Sequence, residues 1–137
     1  MAERKTILYC CGCEKRVFAV LTYGKSIYPH RRDLARTPFW RCETCTNFVG
    51  THYKSRLRAK PLGCIPTPEI RALRREIHAI LDPIWQTGNL SRPQIYKCLS
   101  EELGYSYHTA EIRTVFEARK VLDAVIEIKN NTVFYEG

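Results

Sequence analysis

The stretch Phe39-Trp40-Arg41-Cys42-Glu43-Thr44-Cys45 contains two cysteines separated by two residues, and Cys10 and Cys13 show the same spacing, with 28 residues between the two pairs. Two intervening residues let a tight turn aim both sulfurs at one ion. Two such turns, brought together by strands, complete a tetrahedron with zinc to sulfur distances of about 2.3 Å. One Zn2+ is therefore expected on Cys10, Cys13, Cys42 and Cys45. Four protein ligands leave no open position for water or substrate, so the ion is read as structural.

Other uses of these cysteines explain less. A redox pair would need a βαβ setting and would leave the second pair without a role. Cys10 and Arg16 have the spacing of a phosphate-binding loop of cysteine phosphatases, but Cys13 occupies the glycine position of that loop. Cys11 competes with Cys10 as a ligand, and Cys10 is preferred because it keeps the two-residue spacing. Cys64 and Cys98 stand alone in sequence and are expected to be buried packing residues. His52 follows the second pair closely and is placed beside the metal rather than on it, since the sulfur set is already complete. His30, His78 and His108 show no pairing with a serine or carboxylate that would mark catalysis, so no enzymatic activity is expected.

Working outward, the 137-residue chain has room for a zinc-stapled module of about 60 residues, a size that usually needs a metal to hold it, and a second module of similar length. With 45% apolar and 26% charged residues, it has the composition of a soluble globular protein. No run of apolar residues is long enough to span a membrane and no secretory signal is evident, so a cytoplasmic chain with reduced cysteines is expected. The net charge of +8 is uneven. Residues 1–60 hold 13 Lys and Arg against 4 Asp and Glu, whereas residues 61–137 hold 9 against 10. Four thiolates around one zinc remove two positive charges from the first half and leave it strongly basic.

The period of the pattern changes along the chain. Arg16 to Tyr23 is β-branched and aromatic and stops at Gly24; Pro38 to Arg41 and Asn47 to Tyr53 flank the second cysteine pair as further short strands. Tyr28 to Pro38 reads as a loop. Prolines and Gly63 between Lys60 and Pro68 mark a boundary, giving a zinc ribbon over 1–60 and a helical module over 61–137. Thr67 and Pro68 start a helix with Ile70, Leu73, Ile77, Leu81 and Ile84 on one face, to be kinked or ended by Pro83 near Asp82. Ser91 and Gln94 form a capping box for a second helix, closed by Gly104. A third is expected from about Thr109, turning Ile112, Val115, Phe116 and Leu122 inward. Alternation from Val125 to Tyr135 around Asn130-Asn131 predicts a terminal hairpin. The expected fold class is α+β: a four-cysteine zinc β-ribbon packed with a three-helix unit and a C-terminal hairpin.

Taken together, Phe39-Trp40-Arg41-Cys42 with Cys45, Phe48-Val49-Gly50-Thr51-His52, Pro61-Leu62-Gly63, Leu73-Arg74 with His78, Leu81-Asp82-Pro83-Ile84-Trp85, and Ser91-Arg92-Pro93 with Tyr96, Leu99, Leu103-Gly104 and His108 form an ordered set. In that set the chain resembles the small bacterial and phage proteins known as zinc-finger-containing domain proteins, whose function is unknown. The resemblance implies that ribbon and helices belong to one conserved unit; it supplies no activity. The chain departs from that pattern at Cys64 and at Thr109-Ala110.

Two functions follow from the charge. In the first, Lys54, Arg56, Arg58 and Lys60 alternate, so an extended backbone would present them on one side to nucleic-acid phosphates. Arg31, Arg32 and Arg36 add a basic loop, and Tyr53, Tyr23 and Tyr28 supply stacking faces. In the second, the same basic ribbon docks on an acidic protein surface and modulates a nucleic-acid machine without catalysis. A winged arrangement in the helical half is disfavoured, because Glu111, Glu117 and Asp123 offset Arg113, Arg119 and Lys120. Neither a membrane nor a small-molecule substrate is indicated.

Overall fold

The computed structural model describes residues 4–86 and 90–136, the last six of them as backbone only. It divides between Pro68 and Glu69 into two compact units, each with its own buried side chains. No helix among the described residues is long and apolar enough to cross a membrane.

The first unit is an antiparallel sheet of β1 (Lys5–Cys10), β2 (Lys15–Tyr23), β3 (Pro38–Cys42) and β4 (Phe48–Val49), in that order. Successive residues of a strand face opposite sides, so the register decides what is buried. Leu8 lies across from Val17, Ala19 across from Cys42, and Leu21 across from Trp40. These residues pack with Val49 and Ile65 into the core of the unit, and Cys10 and Cys42 belong to that core. Ile65 is drawn in by the backbone: its N–H donates to the Tyr9 carbonyl at 2.8 Å and its carbonyl accepts from the Cys11 N–H at 2.8 Å. Through that pairing the first compact unit takes in the residues up to Pro68.

Between β2 and β3 the chain makes one helical turn, α1 (Gly24–Ile27), and a 3-10 turn at Arg32–Leu34. Tyr28 returns to pack edge-on against Phe39 and Phe48, with the three ring centroids 5.6 to 5.8 Å apart. This geometry suits the quadrupoles of aromatic rings.

The second unit contains α2 (Pro68–Gln86), α3 (Arg92–Leu103) and α4 (Val115–Glu136). Of the expected apolar stripe of α2, Ile70, Ile77, Leu81 and Ile84 are buried and Leu73 is half-buried. Pro83 does not end the helix at Asp82, and α2 runs on through Gln86. Proline removes one hydrogen bond of the helix ladder, the one to the Ala79 carbonyl, and Ala79 lies on the exposed side of the helix. In α3 the Ser91 side chain accepts from the Gln94 N–H, the Gln94 side chain accepts from the Ser91 N–H, and Gly104 closes the helix at φ 82°. Both capping groups were legible in the sequence.

The last helix departs from expectation. Thr109–Glu111 is only a 3-10 turn, and α4 begins at Val115, where the Thr114 hydroxyl accepts from the Glu117 N–H at 3.0 Å. Phe116, expected inward, is 80% exposed, while Ala118, Val121 and Val125 are fully buried at helical spacing. The predicted C-terminal hairpin is not formed, since α4 continues over Asn130-Asn131 to Glu136. Asparagine lowers helix propensity by a fraction of a kcal/mol, roughly 0.5–0.7 relative to alanine, too little to outweigh that packing. Cys98 also departs from its expected burial and lies exposed on α3.

Candidate metal centre and basic cleft

Cys10 and Cys13 flank the hairpin turn between β1 and β2, and Cys42 and Cys45 flank the turn between β3 and β4. The two turns are built alike. Each is followed by a residue in the left-handed region, Glu14 at φ 56° and Thr46 at φ 65°. That reversal sends the chain back into the next strand while leaving both cysteines pointing inward. The Cys42 N–H donates to the Asn47 carbonyl at 2.8 Å and the Thr46 N–H to the Cys42 carbonyl at 3.1 Å, which fixes the second turn. A β-branched residue gains nothing from φ near +60°. Thr46→Asn is therefore expected to raise stability by about 0.5–1 kcal/mol in urea denaturation of the zinc-loaded protein, with no change in metal content.

The four Sγ atoms lie within 4.8 Å of one another. Cys10 and Cys45 sulfurs are 3.3 Å apart, and those of Cys13 and Cys42 are 3.7 Å apart. A tetrahedron with zinc to sulfur bonds of about 2.3 Å has edges of about 3.8 Å, so the donor set fits one zinc ion. Its electrostatics suit a divalent cation. Burial pushes the Cys10 thiol well up, and burial with the Cys42 thiol beside it raises Cys13. Burial also opposes the Cys42 thiolate, but the N–H groups of Cys45 and Thr44 and the thiols of Cys45 and Cys13 outweigh it and lower that group. Four thiolates in one apolar core need a divalent cation to neutralise them.

Cys11 is not a ligand. Its sulfur lies 3.9 Å from that of Cys64, and both side chains are buried, where they pack the first turn against the segment leading to Ile65. His52 is not in the sulfur cluster either. It sits at the base of an exposed loop, where its N–H donates to the Lys60 carbonyl at 2.9 Å and its own carbonyl accepts from Ser55.

That loop changes the reading of the basic residues. Thr51 bridges Pro61 in antiparallel fashion, so residues 52–60 form a closed excursion of turns and bends, not the extended rail that the alternation of Lys54, Arg56, Arg58 and Lys60 suggested. The Trp40 Nε1–H donates to the Ala59 carbonyl at 2.6 Å and pins the end of the loop to the sheet. A cleft of about 600 Å³ is left at the end of the sheet away from the cysteines. Arg4, Lys5, Arg36, Arg58 and Lys60 line it with Tyr23 and Trp40, and none of its lining residues is acidic. Lys5 also reaches Glu43 at 2.7 Å.

Of the residues singled out in the sequence, Arg36, Arg58 and Lys60 are thus brought together, although Arg36 is distant from the other two in the chain. Lys54, Arg56 and Tyr53 remain on the exposed loop outside the cleft, with the Lys54 ammonium 5.7 Å from the Tyr53 ring centroid. Arg31 makes a two-pronged ion pair with Asp33 at 2.8 and 2.6 Å, which cancels much of its local charge. Arg32 lies exposed in the 3-10 turn, and Tyr28 is taken up by its aromatic neighbours. Arg4 and Lys5 were missed because only the pairing of strands reveals them: the Leu21 N–H donates to the Arg4 carbonyl at 3.0 Å and carries β1's start to the cleft.

The model of a family described as a zinc-finger-containing domain matches residues 6–132. Neither the curated proteins nor the solved structures contain a match to the chain.

Proposed function

The chain belongs to this zinc-finger-containing domain family, and from that premise we propose that it is a nucleic-acid-binding protein whose zinc holds a phosphate-binding cleft in shape. The observation that carries the reading is the cationic charge of the cleft: Arg4, Arg36, Arg58 and Lys60 line it with no lining carboxylate, while the Lys5 ammonium is held by Glu43. Electrostatic attraction of this kind draws a polyanion and exchanges its condensed counterions for protein cations. The four-sulfur zinc site is scaffold in this reading, so the protein is a binding module and not an enzyme.

The test is a salt titration of binding to short oligonucleotides, with two charge-matched double variants. Arg58→Glu with Lys60→Glu changes the cleft; Lys54→Glu with Arg56→Glu changes the exposed part of the same loop by an equal charge. Contacts to about four phosphates give a slope of log affinity against log salt near −3 for single strands. The cleft pair is expected to lower affinity roughly 100-fold at low salt and flatten the slope, and the outer pair to lower it only a few-fold. Equal losses would mean that bulk charge alone attracts the ligand. Absence of binding at low salt would remove the reading altogether and favour an acidic protein surface as the partner of the basic ribbon.

A further inference from the structure

We propose that the cleft selects single-stranded nucleic acid, with one unpaired base laid against Tyr23 and the flanking phosphates on Arg4, Arg36, Arg58 and Lys60. The inference rests on the nucleic-acid reading above and narrows it to one class of ligand. Three features point the same way. The first is concavity: at about 600 Å³ the cleft lies in the size range of pockets that enclose a small molecule. A duplex presents phosphates on a convex outer surface and keeps its bases stacked inside, so it can touch only the rim. A single strand can turn a base into the hollow.

The second feature is the mixture of linings. Leu21, Tyr23, Trp40 and Leu57 line the cleft together with the cations. A site for phosphate alone gains nothing from apolar walls, whereas a strand of alternating bases and phosphates uses both. The third is the division of labour between the two lining aromatic residues. Trp40 is 4% exposed, with its N–H bound to Ala59 and the Arg4 guanidinium 6.0 Å from its ring centroid, so it forms part of the floor. Tyr23 is 44% exposed at the end of β2, opposite Pro38 in the register, and offers a ring face to a ligand. Stacking on a ring of this kind tolerates any base, because every base has a π face.

The experiment uses the full zinc-loaded chain and compares a short oligothymidylate with a blunt duplex of equal length by fluorescence anisotropy. The single strand is expected to bind at least about 10-fold more tightly. Tyr23→Ala should weaken single-strand binding by roughly 5- to 150-fold, the range given by loss of one stacked base, and leave duplex binding within about twofold. Tyr23→Phe should restore it, since stacking needs the ring and not the hydroxyl. A second measurement does not depend on the folding of the alanine variant. In Trp85→Phe protein the remaining tryptophan is Trp40, and its emission should change with the single strand and not with the duplex. Equal affinity for the two ligands, or a phenylalanine variant that fails to recover binding, would overturn the inference while leaving salt-dependent binding in place. Absence of salt-dependent binding to either would overturn the nucleic-acid reading and this one with it.

Discussion

Cys42→Ser is expected to unfold the first unit. Cys42 is fully buried, its sulfur lies 3.7 Å from that of Cys13, and its backbone closes the second turn. Serine keeps the size of the side chain but removes the thiolate that zinc prefers, leaving three sulfurs and a buried hydroxyl. Structural zinc sites contribute about 10–16 kcal/mol in small domains, as much as or more than the whole stability of about 5–15 kcal/mol that such a domain has to lose. Loss of the metal should therefore remove the fold of residues 4–68 and not merely loosen it. The check is amide hydrogen exchange: protection in β1, β2 and β3 should disappear, together with one equivalent of zinc. Cys98→Ser is the control, because Cys98 is exposed on α3 and outside the sulfur cluster. That variant should keep its zinc and its stability within about 0.5 kcal/mol. Chelation of the wild-type metal should reproduce the Cys42→Ser result.

Gly24→Ala is the second large effect, and its cause is purely steric. A Cβ at Gly24 would stand 1.8 Å from the Leu34 carbonyl oxygen and 2.6 Å from its carbon. Neither is the flexible end of a side chain, so backbone must move. The movement falls on the contacts that hold the basic connection to the sheet: the Gly24 N–H donates to the Thr37 carbonyl at 2.9 Å and the Lys25 N–H to that of Ala35 at 3.3 Å. Arg36, one of the cleft cations, lies between those two acceptors. A destabilisation of about 3 kcal/mol is expected in urea denaturation of zinc-loaded protein, at the upper end of ordinary overpacking. Gly104→Ala is the contrasting case, with φ 82° and open space around the site. Its cost is backbone strain alone, about 1 kcal/mol. If Gly24→Ala costs no more than Gly104→Ala, the close approach of Leu34 to Gly24 is not a constraint on the fold.

What could be read from the sequence was what local spacing dictates. The two cysteine pairs name their own ligands because a two-residue gap makes a turn wherever it occurs, and Ser91, Gln94 and Gly104 name the ends of α3 because caps act within a single turn. The failures involve contacts made at a distance. Lys54 to Lys60 alternate as a strand would, but the pairing of Thr51 with Pro61 closes them into a loop, and alternation of charge does not report such a closure. Arg4 is more than 50 residues from Arg58 and joins it only through the sheet. At the other end, β-branched residues and an asparagine pair resembled a hairpin, while Ala118, Val121 and Val125 already had the spacing of a buried helical face. Tertiary burial outweighed local propensity there, as it commonly does in strands and helices alike.

The central claim is that the four sulfurs of Cys10, Cys13, Cys42 and Cys45 hold one zinc ion. X-ray absorption at the zinc edge of the purified chain, with metal and protein quantified on the same sample, tests it most directly. One zinc per chain, surrounded by four sulfur atoms at about 2.3 Å and no nitrogen or oxygen neighbour, is the predicted result. A folded protein without zinc, or a first shell containing nitrogen or oxygen in place of one of the cysteines, would contradict it.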